Sequence, residues 1–291
     1  MEKHEWLVEA FEANRPHLQA VAYRLLGSLT EADDAVQEAW LRLSRSDMSE
    51  VSNLGGWLTT VVAHISLNML RSRKVRSEES LEASMFEPGT SVSDPEQEAL
   101  LADSVGLALL VVLETLAPHE RLAFVLHDMF DVPFDEIAPI VERSEAATRQ
   151  LASRARRRIR GGANVADADL SVKREVVEAF LSASRAGNFE ALLTLLDPDV
   201  VYRADYGGTL AGRSRVIRGA QAVLGQTRVF SRLARFAQLI LVNGAVGIVV
   251  APFGRLRFVG EFTITGGKIT QISMMADPAI LRQLHFAVLS D

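Results

Sequence analysis

Residues 134–160 read FDEIAPIVERSEAATRQLASRARRRIR, and the fold of the middle of the chain turns on them. Phe134 to Val141 predicts a short helix, Glu142 to Ser144 a break, and Glu145 to about Arg160 a longer helix closed by Gly161-Gly162, which is a helix-turn-helix outline. On the longer helix Ala147, Leu151, Ala155 and Ile159 recur at i, i+4, i+8 and i+12, the spacing of a packing face. The opposite face carries Arg149, Gln150, Ser153, Arg156, Arg157 and Arg160. In a major groove, arginine suits guanine edges, glutamine suits adenine, and further arginines hold phosphates. A solvated arginine-rich helix end, favoured by the helix dipole, fits the same residues. Two local features strain the outline: Pro139 should kink or shorten the first helix, and Glu142 occupies a turn position suited to glycine.

A net charge of −6 over 291 residues argues against a nucleic-acid partner until it is resolved along the chain. Residues 1–140 hold ten Lys and Arg against 24 Asp and Glu, whereas residues 141–160 hold seven Arg against Glu142 and Glu145. Residues 167–291 are near balance, with 14 basic and 11 acidic groups. Three electrostatic regimes predict three modules, the middle one carrying the cationic stripe that phosphate binding needs. The composition, 48% hydrophobic and 23% charged with no apolar run of membrane-spanning length, is that of a soluble protein. With no apolar leader at its start, a cytoplasmic location and no membrane partner are expected. The absence of cysteine excludes disulfides, thiolate catalysis and Cys-ligated zinc, and six scattered His make no metal spacing, so no cofactor is expected.

Upstream, Glu5 to about Arg76 is helical throughout. Thr30 is the expected N-cap of a helix whose apolar residues Ala32, Ala35, Val36, Ala39, Trp40 and Leu43 form one stripe. Its other face presents Asp33, Asp34, Gln37, Glu38 and Arg42 around Leu41, either a solvated surface or a docking site for a basic partner. A second helix, from Gly56 or Trp57 to Leu70, ends in Arg71, Arg73, Lys74 and Arg76. Trp57, Asn68, Arg71 and Arg73 combine aromatic, amide and cationic groups of the kind that hold unstacked bases, although Trp at helical spacing equally fits a core. Residues 77–98 are rich in Ser, Glu and Pro and read as a solvated linker. Helices are expected from about Leu100 to Leu116 and from His119 to Met129. After a short linker, Val172–Ala186 and Phe189–Leu196 are helical, VVYRAD (200–205) is strand-like, and Asn243-Gly244 and Gly266-Gly267 each separate two apolar runs as hairpin turns.

YRLLGSLTEADDAVQEAWLRL (23–43) followed by NLGGWLTTVVAHISLNMLRSRK (53–74) closely resembles region 2 of the extracytoplasmic-function sigma factors of bacterial RNA polymerase, and residues 113–159 resemble their region 4. The last 120 or so residues look like a SnoaL-like domain, an appendage carried by a subgroup of these factors. The resemblance implies a multidomain protein with two all-α sigma domains and a C-terminal α+β SnoaL-like cone of curved antiparallel sheet. Its expected boundaries are region 2 at 1–77, a flexible linker at 78–99, the region 4 helix-turn-helix at 100–162, a linker at 163–170 and the cone at 171–291. It implies that core RNA polymerase, through its large-subunit clamp helices and flap, and promoter DNA are the partners.

Residue by residue, Asp33, Asp34, Gln37, Glu38 and Leu41 match the polymerase contact. Ser52 and Asn53 match the loop that captures a flipped minus-ten base, whose extrusion costs a few kcal/mol of unstacking. Asn68, Arg71 and Arg73 belong to the same element, with Trp57 mainly in packing. Arg149, Gln150, Ser153, Arg156 and Arg157 match the minus-thirty-five readers. Degenerate versions of two subgroup motifs place regulatory contacts at Asp205, Gly207 and Gly208, and at Asp277 and Pro278. No enzyme activity is expected. Two other readings stay open: a ligand-responsive helix-turn-helix regulator, with a small molecule in the C-terminal pocket, and a catalytic cone in which Asp205 acts as general acid or base beside Tyr202, Arg203 and His285.

Overall fold

A computed structural model of the chain describes residues 2–46, 51, 53–79, 106–160, 168–205, 214–252 and 256–289. They form two compact units, one of residues 1–105 and 116–157, the other of residues 106–115 and 158–291.

The first unit opens with α1 (Glu2–Leu26), α2 (Leu29–Arg45) and α3 (Leu54–Glu79), each packed on the other two. Ser28, not Thr30, caps α2: its backbone is extended and its Oγ accepts from the Glu31 amide at 3.5 Å. The start lies two residues upstream of expectation because Leu29 is buried and extends the apolar stripe of Ala32, Ala35, Val36, Ala39 and Leu43. Three alanines in that stripe, Ala32, Ala35 and Ala39, let neighbouring backbones approach, while Leu18, Leu25, Leu26, Leu58 and Leu67 fill the core between helices. Each such leucine is worth roughly 1.5–3 kcal/mol of burial. α3 runs past the expected end at Leu70 into the expected linker, since RSRKVRSEE contains no helix breaker and Arg73 is anchored from both sides.

Helix α4 (Leu107–Glu114) belongs to the second unit. The first unit resumes with α5 (Pro118–Phe124), which begins on a proline at its first position and continues into a π-helical turn at Val125–Met129. One uninterrupted helix was expected over this stretch. The helix pair follows as α6 (Phe134–Ile140) and α7 (Glu145–Arg160), the last three residues of α7 belonging to the second unit. Pro139 shortens α6: the chain turns at Glu142, whose φ is 54°, and the Arg143 amide bonds back to the Ala138 carbonyl at 3.1 Å. The buried seam of α7 is Thr148, Ala152, Ala155 and Ile159: Ala155 and Ile159 stand as expected, while Thr148 and Ala152 take the places of Ala147 and Leu151. Thr148 tolerates burial because its Oγ1 donates to the Ser144 carbonyl at 3.0 Å.

The second unit is α+β. Its helices are α4, α8 (Ala168–Ala186), α9 (Phe189–Leu195), α10 (Ala220–Ala234) and the single turn α11 (Pro278–Leu281). Its strands are β1 (Leu196–Asp205), β2 (Arg215–Arg218), β3 (Ala237–Val242), β4 (Ala245–Val250), β5 (Phe258–Thr265), β6 (Lys268–Met275) and β7 (Phe286–Ala287), in the order β2-β1-β6-β5-β4-β3-β7. Every pairing is antiparallel except β1 with β6, a parallel join in a sheet expected to be antiparallel. Asn243 and Gly244, at φ 50° and 85°, link β3 to β4 as the two central residues of a tight turn with positive φ, and Gly266-Gly267 link β5 to β6 likewise. Phe180, Leu192, Val200, Val223 and Ile272 form one core; Val177, Leu181, Val246, Ile248 and Val250 form another.

The expected 100–162 module is therefore divided. α4 packs on β3 and β7, with Leu110, Val111, Val112 and Leu113 all buried, and the Val288 amide caps the Ile159 carbonyl at 2.7 Å within this unit. Among the described residues no helix is long and apolar enough to cross a membrane, and no cluster of side chains could hold a metal ion.

Candidate nucleic-acid interface

On α7 the residues opposite the buried seam stand in solvent: Arg149, Gln150, Ser153 and Arg157 are exposed, and Arg156 is half-buried. Two of these arginines have carboxylate partners. Arg149 pairs with Glu145 one turn earlier and lies over the Phe134 ring, its guanidinium carbon 5.7 Å from the centroid. Arg156 donates its Nε–H to Asp128 Oδ1 at 2.5 Å. On the other flank of the seam, Arg154 donates to Glu120 Oε1 at 2.8 Å. Glu120 and Asp128 both lie on α5 and its π turn. Sequence reasoning missed both, as it missed Arg154, because nothing local shows that this segment runs beside α7.

The residues matched to the minus-ten element sit differently. Asn53 caps α3, its Oδ1 accepting from the Gly56 amide at 3.0 Å. Asn68 is exposed and Trp57 half-buried; Ser52 lies outside the described residues. Arg71 and Arg73 are engaged inside the first unit. Arg73 donates to Glu31 Oε1 at 2.9 Å and to the Leu26 carbonyl at 3.0 Å. Arg71 donates from Nη2 to His119 Nε2 at 2.8 Å, and its Nη1 lies 3.9 Å from Glu142 Oε1. Since arginine has no acceptor, His119 must be neutral at Nε2 and carry its proton on Nδ1.

The contact between α3 and α5 continues elsewhere in this unit. Arg121, only 3% exposed, donates to the Arg24 carbonyl on α1 at 3.2 Å, and the Arg24 guanidinium lies 5.0 Å from the Phe130 ring centre. His17 meets Thr59 Oγ1 at 3.2 Å and packs edge-on against Phe130. Burial, and then the positive charge of Arg71 and Arg143, holds His119 below the ordinary histidine range; burial and Arg24 do the same to His17.

On α2, Asp33, Asp34 and Gln37 are exposed, Glu38 is half-buried in an ion pair with Arg42, and Leu41 keeps 41% of its surface in solvent. Asp33 accepts from Gln19 at 2.8 Å. This is an acidic surface with one apolar residue, shaped by a helix whose opposite side is fully packed.

In the second unit, Gly207 and Gly208 fall outside the described residues. Asp277 caps α11, its Oδ1 accepting from the Ala279 amide at 2.7 Å, with Pro278 at the first helical position. Asp205 and Arg203 lie on the exposed face of β1, while Val200, Tyr202 and Ala204 point into the core, as strand alternation requires. His285 bonds the Asn243 turn beside β3, and β6, β5 and β4 lie between that strand and β1. Asp205, Tyr202, Arg203 and His285 therefore do not converge.

The sequence matches Sigma-70 region 2 over residues 10–76 and Sigma-70, region 4 over residues 106–159. The ECF RNA polymerase sigma factor SigJ of Mycobacterium tuberculosis is 40% identical over 287 residues, covering 93% of this chain and 92% of that protein. The probable ECF RNA polymerase sigma factor SigI of the same species is 33% identical over 303 residues, covering 98% of each. The crystal structure of M. tuberculosis SigJ is similar with a TM-score of 0.46 and 34% identity, covering 94% of this chain and 97% of that one.

Proposed function

Because the chain belongs to the extracytoplasmic-function sigma factors of RNA polymerase, we propose that its acidic α2 face docks on the polymerase clamp and that α7 and α3 read the two elements of a promoter. The observation that carries this reading is the exposed row Arg149, Gln150, Ser153 and Arg157 on α7, cationic on one side and packed on the other. The seam fixes the helix while the row is left to meet a groove. Leu41, exposed among Asp33, Asp34 and Gln37, supplies an apolar contact inside a charged patch, which suits a basic partner surface. The second unit modulates this activity through α4: the match to region 4 begins at residue 106, yet its first helix is packed on β3 and β7.

Run-off transcription by core polymerase supplied with the full chain, over a library of promoters, tests the reading. Promoter-specific transcripts are expected. Arg149→Ala should weaken promoters with the preferred upstream element by about 1–3 kcal/mol while sparing others, the cost of one base contact; equal loss on every sequence would make Arg149 a phosphate clamp. A gel shift with and without core polymerase separates this reading from that of a stand-alone helix-turn-helix regulator, which would bind duplex DNA unaided. Failure to start RNA at any promoter would overturn the proposal.

A further inference from the structure

We infer that Asp128 is a specificity-determining residue of this sigma factor: it positions Arg156 to read a base and withholds it from phosphates. The inference rests on the promoter-reading role of α7 proposed above and adds to it a residue outside that helix.

Three observations carry it. First, the bond runs from Arg156 Nε, not from a terminal amino group. A guanidinium has five N–H donors in a planar fork. With Nε taken by Asp128, the side chain is held at its neck while the four terminal N–H groups keep the edge that pairs bidentately with guanine O6 and N7. The rotamer freedom that a lone arginine loses on binding is already lost here.

Second, the pair is partly withdrawn from water, with Arg156 at 35% and Asp128 at 22% side-chain exposure. The other reader pair, Arg149 with Glu145, is more exposed at 57% and 44% and lies within one helix, where such pairs are common and weak. A carboxylate beside Arg156 cancels its charge at the distance of a passing phosphate, within one Debye length of about 8 Å. Undirected attraction to DNA is suppressed; a base edge that meets the fork is not.

Third, the backbone is built to deliver Asp128 to this place. Glu120 and Asp128 are eight residues apart, which in an uninterrupted α-helix turns them about 80° away from each other at roughly 100° per residue. The π turn at Val125–Met129 takes up one extra residue, reducing the offset to about 20°. Both carboxylates then face α7, where Glu120 holds Arg154 on one flank of the seam and Asp128 holds Arg156 on the other.

The test uses full-length chain bound to core polymerase and promoter duplexes randomised through the upstream element, comparing wild type with Arg156→Ala, Asp128→Asn and Asp128→Glu. Wild type should prefer guanine at one position, and Arg156→Ala should flatten that position alone. Asp128→Asn should cut the same preference by about tenfold, within the span of one bidentate contact. It should also tighten binding to scrambled duplex, with the salt slope steeper by about one unit as Arg156 becomes a phosphate contact. Asp128→Glu should restore much of the preference. A merely structural aspartate would change the melting temperature and leave the base profile alone. Asp128→Asn with the wild-type profile and salt slope, or Arg156→Ala flattening no position, would overturn the inference while wild-type transcripts kept the sigma reading intact. The absence of transcripts from wild type would instead bring down both.

Discussion

Glu142 makes the turn between α6 and α7 with φ at 54°, a left-handed conformation that costs a non-glycine residue roughly 1–2 kcal/mol. Its ion pair with Arg71, at 3.9 Å, is exposed and worth little. Glu142→Gly should therefore raise stability by about 1 kcal/mol, read as a shift in urea midpoint at constant slope; a loss would mean that the Arg71 contact outweighs the strain. The histidines of the same unit give its pH dependence. His17 and His119 are held below their ordinary range, so the folded state binds their protons less readily than the unfolded chain. Above the unfolded value of about 6.5 both states are neutral and the helical unit has its full stability. As pH falls through that value the unfolded chain takes protons first and stability declines, levelling off once the folded state is protonated too. Chemical unfolding between pH 7.5 and 5 should show this decline. His119→Gln, which keeps an acceptor for Arg71 without titrating, should make the decline shallower; an identical profile would exclude His119 as its source.

Legibility at the scale of elements followed how locally each was determined. The Asn243-Gly244 and Gly266-Gly267 turns were readable because their positive φ demands those residues. The stripe on α2 was readable because six apolar positions share one period, and only its cap was misplaced. The first half of the α7 seam lies one residue from expectation because Thr148 buries a hydroxyl satisfied by the preceding turn, while Ala155 and Ile159 are where their spacing puts them. The parallel join of β1 to β6 was not legible, since its partners are some 70 residues apart and no turn chemistry links them. Nor were the Asp128 and Glu120 clamps, which exist only once α5 lies beside α7. Within the sheet, Gly247 faces Gly260 so closely that a Cβ on it would lie 2.7 Å from the Gly260 carbonyl oxygen, a backbone atom with no room to yield. Gly247→Ala should destabilise the second unit by about 1–3 kcal/mol, the usual cost of overpacking. Thermal unfolding unchanged from wild type would show that β4 and β5 can separate at that point.

For the whole molecule, the sharpest consequence is that the sigma portion is not self-contained. Its first region 4 helix, α4, is built into the second unit, with Leu110, Val111, Val112 and Leu113 buried and β3 and β7 against it. A chain stopped after residue 166 keeps α4 but loses those strands, and the apolar side of α4 that packs on them is left uncovered. Contiguous exposed apolar area of this kind drives association. Fragment 1–166 should therefore self-associate in light scattering at concentrations where the full chain does not. Replacing Leu110 and Leu113 by serine should return the fragment to monomer, yet should destabilise the full chain by several kcal/mol, since each leucine lost from a packed site costs about 2–5 kcal/mol. Opposite responses to the same substitutions are the signature of a helix that belongs to the C-terminal unit. A fragment that stays monomeric and melts as cooperatively as the full chain would instead show that α4 is covered from within the sigma portion. If α4 does depend on the second unit, activity lost on truncation reports a broken module, and the modulating role of that unit must be tested by surface substitutions in the intact chain.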